Sequence, residues 1–207
     1  MKKEISICWF RRDLRINDQS AFFHALNGNF PVLPVFIFDP EILNKLQDKK
    51  DKRVAFIHQT LNQLQSEFIK WGSGIYVIHS FVEDAFERLT SEYDVKAVYA
   101  NHDYEPYALK RDLAVKQILE DKNILFKTFK DQVIFERSEI IKSDSTPYTV
   151  FTPFSKKWKE SLTQHHYEPF LSEKYLSNLF ITAPFEIPTL NDLGFEDSDF
   201  HFPDINL

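Results

Sequence analysis

Glycine is scarce in this chain: Gly28, Gly72, Gly74 and Gly194 are the only four in 207 residues. Neither GxGxxG nor GxxxxGK[ST] can be assembled from them, which excludes the Gly-rich phosphate cradles. A nucleotide, if bound, must be held some other way. Cysteine is scarcer still. Cys8 stands alone inside an apolar run, so there is no internal disulfide, and the thiol reads as a small core residue. Positive charge is in deficit, with a net charge of −6, which argues against this chain gripping DNA phosphates by itself. No stretch approaches the 18 apolar residues or so of a membrane span. The opening MKKEISICWF does not read as a signal peptide, because Arg11, Arg12 and Asp13 interrupt the run before an apolar region of sufficient length forms. A reducing, cytoplasmic setting is expected. There is no internal repeat and no low-complexity run.

What is present is ample core material: 43% hydrophobic residues and 21 Phe, which exclude disorder and suit one large domain or two small ones. Residues 5–18, ISICWFRRDLRIND, begin almost continuously apolar and then turn abruptly to charge. That is the pattern of a strand buried on both faces that feeds a polar loop. Residues 20–27 have helix spacing with Gly28 as the stop. Residues 31–38 (PVLPVFIF) form a second buried strand, with Pro34 placed at its first residue because a mid-sheet proline loses a ladder bond. Asp51 is the natural N-cap of a long helix striped by Val54, Ile57, Leu61, Leu64 and Phe68. Residues 75–79, 97–100 and 125–129 are three more strands, with helices at 83–90 and from 106 to about 120. Strands alternating with helices in this way predict βαβ units: a doubly wound, Rossmann-like, five-stranded parallel sheet of order 3-2-1-4-5. The predicted layout is a parallel α/β core over residues 1–131, the remainder of the domain over 132–165 with a helix at 151–165, and an extended interdomain linker over 166–207 with short helical pieces, lying over the domain or leading to another one.

In such a sheet the ligand crevice opens between strands 1 and 4 at their carboxyl ends. The loops leaving those strands are residues 11–18 and 101–106, and Asp39 leaves strand 2 beside them. Guanidinium donors (Arg11, Arg12, Arg15), carboxylates (Asp13, Asp39, Asp103, Glu105) and aromatic faces (Trp9, Phe10, Tyr104) suit a planar heterocycle with a hydrogen-bonding edge. The bland alternative is mutual pairing: Arg15 with Asp13 or Asp18, and Arg111 with Asp112 or Glu105. Asp103 and Glu105 have no nucleophile beside them, and His165-His166 lacks further ligands at metal spacing. The residues alone support a ligand-binding α/β domain, with no catalytic residue and no metal ligand.

WFRRDLR with the following ND resembles the opening signature of the DNA photolyase/cryptochrome family. FIFDP (36–40), KRVAFI (52–57), NHDYEPYALKRD (101–112) and PYTVFTPFSKKW (147–158) resemble further family blocks, in the family's order and spacing, so the likeness covers roughly residues 5–160. It implies the N-terminal α/β domain that carries a light-harvesting antenna chromophore, serving light-driven repair of cyclobutane pyrimidine dimers in DNA by a deoxyribodipyrimidine photolyase. In that family repair itself belongs to a helical C-terminal domain, where reduced FAD lends an electron to the dimer. Nothing after Trp158 resembles the FAD-binding signature, so a fragment or a truncated relative, inactive alone, is expected, with damaged DNA a partner only through the absent domain. A cryptochrome photosensory domain and a stand-alone nucleotide-binding module are the alternatives. Folate-binding members carry Asn-Glu where Tyr107-Ala108 stand, and a His near the position of Asp48. The D-x-E-P-Y form, with Asp39 and Arg53, resembles members holding a deazaflavin or a flavin such as FMN. The likeness carries over Phe10, Arg11, Asp39, Arg53, Asp103 and Glu105 as cofactor-binding residues. The expected pocket lies between the loops after strands 1 and 4. There Asp103 or Glu105 accepts a ring N–H, Arg11 or Arg53 donates to ring carbonyls, and Phe10 walls a ring face.

Overall fold

The computed structural model describes residues 2–197. Strands β1 (Glu4–Phe10), β2 (Val32–Phe38), β3 (Tyr76–His79), β4 (Asp94–Asn101) and β5 (Leu125–Phe129) form one sheet in the order β3-β2-β1-β4-β5. Every pairing is parallel, so order, direction and the central place of β1 match the sequence reading. Burial supplies the reason. Ile5 to Phe10 are all buried, since β1 has a strand on either side and helices on both faces.

Alternation along β1 divides the core in two. Ile5, Ile7 and Trp9 pack against α4 (Val82–Glu92) and α5 (Pro106–Asp121). Cys8 and Phe10 pack against α1 (Ser20–Leu26) and α3 (Lys52–Ile69). The α3 helix starts where Asp51 accepts the Arg53 N–H and buries Val54, Leu61, Leu64 and Phe68. It ends at Gly72, whose φ of +70° is open to glycine at little cost. A one-turn helix that the sequence reading passed over, α2 (Pro40–Leu43), is capped by the Asp39 carboxylate with proline in its first turn.

Two expectations are corrected. Pro34 is not the first residue of β2 but its third, opposite Cys8. The ladder to β3 begins only at Val35 opposite Tyr76, so the proline sits just outside that pairing. The helix expected over 151–165 is α6 (Phe151–Ser161), because Leu162 turns extended at φ −67° and ψ 133°. None of its residues is buried.

The segment after residue 166, read from sequence as an extended linker, doubles back over the domain as far as it is described. Residues 198–207 of that segment lie outside the described residues. Leu176, Leu179, Leu190, Leu193 and Phe195 enter the α1/α3 core, and Phe180 enters the other. Backbone accounting explains the path. The Asn178 side-chain amide donates to the carbonyls of Leu26 and Gly28 at 2.8 and 3.2 Å, where α1 ends. The Phe180 N–H donates to the Val32 carbonyl at 2.8 Å, and Gln65 spans Ile75 and Phe185. Among the described residues no helix is long and apolar enough to cross a membrane.

Candidate functional site

At the carboxyl end of β1 the chain passes from apolar to charged in one step, and three arginines leave in three directions. Arg11 lies two residues after Trp9 and so falls on the same face of the sheet. Its Cζ is 4.1 Å from the Trp9 ring centroid, and its Nη1 donates to Asp112 Oδ2 at 2.9 Å. The other Asp112 oxygen accepts from Arg111 at 3.1 Å, and the Arg111 Cζ lies 4.8 Å over Trp9. Arg11 is 9% exposed, and its Nε and Nη2 have no acceptor among the described residues. Burial lowers its pKa from the usual value; Asp112 opposes that shift and Arg111 adds to it. A guanidinium nevertheless stays charged. Two buried donor nitrogens without partners are costly, and an incoming acceptor would satisfy them.

Arg12 turns instead to the loop after β4, pairing with Asp103 at 3.2 Å and Glu105 at 2.9 Å. Arg15 reaches across to the end of β5, where both Asp131 oxygens accept from it at 2.8 and 2.9 Å. Asp131 also accepts the Ser20 N–H at 3.0 Å, at the start of α1. Of the pairings the sequence suggested, Arg111 with Asp112 is made, while Arg15 bonds the Asp18 carbonyl and Asp131. Asp13 is buried and accepts from the Arg11 backbone N–H at 2.7 Å, Gln19 Nε2 at 3.0 Å and Asn101 Nδ2 at 2.5 Å. This carboxylate sews the β1 loop to α1 and to the end of β4.

The six residues carried over from the family likeness do not all meet. Arg11 and Arg111 share Asp112, and Arg111 lies 3.8 Å from Asp103. Glu105 joins them through Arg12, although its own side chain is largely exposed. Asp39 is buried and accepts the Tyr107 hydroxyl, and the Tyr107 ring lies 5.8 Å from the Arg111 Cζ. Burial and the Asp39 charge push the Tyr107 hydroxyl pKa upward. Phe10 points away from this group, because alternation turns its ring into the α1/α3 core against Phe22 and Phe68. Arg53 is 73% exposed and folds onto Asp51 in its own turn, with no described contact to the crevice. The aromatic that accompanies Arg11 is Trp9. Its i, i+2 spacing from Arg11 was the available signal, and the partners Arg111 and Asp112 lie on an α5 face that sequence spacing alone did not pair with β1.

An open cleft of about 340 Å³ lies beside this group, lined by Arg12, Asp13, Arg15, Asp131 and Gln132, between the loops after β1 and β5. Arg12 ties the loop after β4 to the loop after β1 through Asp103 and Glu105. Asp103 itself is buried but held only by contacts of 3.2 to 3.8 Å, leaving acceptor capacity.

A second polar knot fastens the segment after β5. Glu136 accepts from the Tyr104 hydroxyl at 2.9 Å and bonds His102 Nδ1, while Thr128 meets His102 Nε2 at 3.0 Å. Burial raises the Glu136 carboxyl pKa, but the hydrogen bonds from His102 and Tyr104 outweigh it and hold the carboxyl below its usual value of 4.5. A depressed carboxylate contributes stability that is present above that value and is lost as pH falls through the folded value. Hydrogen-exchange protection factors at residues 102–104 and 136 are therefore expected to fall below about pH 4.5, and Glu136→Gln should remove that pH step. Protection that falls identically in the variant would refute the assignment. Among the described residues no group of three or more His, Cys, Asp or Glu is placed to hold a metal ion.

Comparison with known proteins follows the same outline. The profile of the DNA photolyase family matches residues 6–172. A deoxyribodipyrimidine photo-lyase of Synechococcus is 31% identical over 203 residues, covering 94% of this chain and 41% of that protein. The crystal structure of a class III photolyase from Agrobacterium tumefaciens superposes with a TM-score of 0.77 at 25% identity, over 96% of this chain and 40% of that one. An archaeal photolyase from Sulfolobus tokodaii, solved with two FAD molecules and described as implying a novel light-harvesting cofactor, superposes at 0.71 and 25% identity, over 96% and 43%. The chain thus spans about two fifths of the length of these relatives.

Proposed function

Since this chain belongs to the DNA photolyase family, we propose that it is the light-harvesting domain of a deoxyribodipyrimidine photolyase, holding a flavin-like antenna chromophore at the carboxyl end of β1 and β4. The observation that carries this is the Arg11 guanidinium: nine-tenths buried, charged, and with Nε and Nη2 lacking acceptors among the described residues. A flavin or deazaflavin edge presents one N–H between two carbonyl oxygens, and this chain supplies the complement. Arg11 would donate to a carbonyl, while Asp103, buried and loosely held, would accept the N–H. Glu105 and Asp39 would act one step back, through Arg12 and Tyr107. Phe10 would support the floor from the core side, while Arg53, tied to Asp51 at the surface, would add little beyond charge at the rim. When bound, the chromophore supplies absorption of light and transfer of its excitation. The residues bind it, orient it and keep water from its edge.

The proposal extends to a cytoplasmic protein that serves repair of pyrimidine dimers in damaged DNA. These 207 residues alone are proposed to perform no repair, because an electron-donating flavin and a pocket for a flipped-out lesion would have to come from elsewhere. The layout we propose is a core over 1–131, its remainder over 132–165, and a segment over 166–207 that packs on the core before it connects onward.

Titration of the purified chain with FMN, a deazaflavin and methenyl-folate, followed by fluorescence, tests this reading. Binding of a flavin-type ligand is expected, weakened about tenfold to a hundredfold in Asp103→Ala through loss of one charge-assisted bond. Tight folate binding untouched by Asp103→Ala, or no binding of any of the three, would overturn it.

A further inference from the structure

We infer that Arg11 and Arg111 hold the Trp9 indole against oxidation, so that a light-excited chromophore resting on Arg11 keeps its energy instead of taking an electron from the ring. The inference rests on the flavin-like antenna proposed above. Trp9 is 2% exposed, with the Arg11 and Arg111 guanidinium carbons 4.1 and 4.8 Å from its ring centroid. Phe86, edge-on at 5.1 Å, adds packing and no charge. An acceptor atom hydrogen-bonded to Arg11 Nε or Nη2 would lie within about 8 Å of the indole centroid. Indole at that range is a competent donor to an excited flavin. One electron would leave the ring, the chromophore would be reduced by one electron, and recombination would return the electron as heat with nothing passed on.

Charge decides whether that happens. Losing an electron places positive charge on the ring, and two cations lying over it in a buried, low-dielectric setting oppose the loss. Asp112 pulls the other way, but one carboxylate shared between two guanidiniums leaves the trio net positive. Asp103, 3.8 Å from Arg111, and Glu105 are shared with Arg12, so the wider group is balanced in charge and the two guanidiniums act by lying nearest the ring. The same two arginines that complete the pocket would therefore keep its aromatic floor photochemically silent.

The test is time-resolved flavin fluorescence on the 207-residue chain, with binding measured separately by ultrafiltration. In the wild-type chain Trp9→Phe is expected to leave the bound lifetime unchanged. Arg111→Met should shorten it about fivefold or more, Arg111→Lys should preserve it, and Trp9→Phe/Arg111→Met should restore it. A several-fold longer lifetime in Trp9→Phe alone, or an unaltered lifetime in folded Arg111→Met, overturns the inference. If Arg111→Met does not fold, the Trp9→Phe comparison decides by itself. If no flavin binds, the antenna reading fails and the inference is read without ligand. Trp9 is then made the only indole by Trp71→Phe and Trp158→Phe, and its one-electron oxidation by azide radicals is followed. Arg111→Lys, with its charge closer to one point, should oxidise no faster than Arg111, while Arg111→Met should oxidise several-fold faster; equal rates in all three overturn it.

Discussion

Asp13→Ala is expected to lower the free energy of unfolding by about 3–5 kcal/mol, among the largest losses available from one side chain in this domain. Three N–H donors converge on this carboxylate, from Arg11, Gln19 and Asn101. They belong to the β1 loop, the start of α1 and the end of β4. Alanine would leave all three buried donors without this acceptor. Burial also raises the Asp13 carboxyl above its usual value of 3.8, against the pull of its donors. The native state therefore takes up a proton more readily than the unfolded chain. By that sign, the carboxyl's own titration favours folding most at low pH, and the benefit fades as pH rises through the folded value. Asp13→Asn, neutral at every pH, should cost about half as much as alanine and should flatten this dependence. Urea unfolding at pH 7 with an unchanged m-value measures the loss. A loss below about 1 kcal/mol in Asp13→Ala would show that the three donors find other partners.

Arg11→Met should weaken flavin-type binding about a hundredfold or more, since two bonds of about 1.5–3 kcal/mol each, from Nε and Nη2, disappear with the guanidinium. Folding should survive, because Asp112 keeps Arg111 and the methionine stem can cover Trp9. Arg53→Met is the informative partner in the same titration. Its guanidinium is tied to Asp51 at the surface, so a change within about twofold is expected there. Equal losses in both variants would move the chromophore toward the start of α3; no loss in Arg11→Met would remove Arg11 from the site.

Much of the fold was legible because single strands and helices announce themselves locally. Six buried residues in a row told that β1 is central, and Asp51 with its 3-4 stripe told where α3 begins and which way it faces. The segment after 166 was not legible. Leu176, Leu179, Leu190, Leu193 and Phe195 are spread among prolines with no period, so their burial depends on grooves made by residues far earlier in the chain. The site divides in the same way. Arg11, Asp103 and Asp39 could be named from the ends of strands, where doubly wound sheets gather ligands. Phe10 was misjudged in direction and Trp9 in importance, although alternation separates the two. Asp131 served in the sequence only as a boundary, because its partners Arg15 and Ser20 lie more than a hundred residues away.

The seam between α1 and the segment around Asn178 has a consequence in time. The carbonyls of Leu26 and Gly28 wait for a donor that is synthesised about 150 residues later, as do the Val32 carbonyl for Phe180 and Asp18 for Phe170. At roughly 5–20 residues per second, a ribosome delivers that donor some 7–30 s after α1 has emerged. Until then the α1/α3 face is bare where Leu176, Leu179 and Leu193 will rest. The nascent chain thus passes through a long interval as a sticky, incompletely sealed sheet, and final closure is a late, non-local and slow event. Stalling translation between residues 140 and 170 should accordingly yield chains that bind chaperones avidly, and release past residue 195 should end that binding.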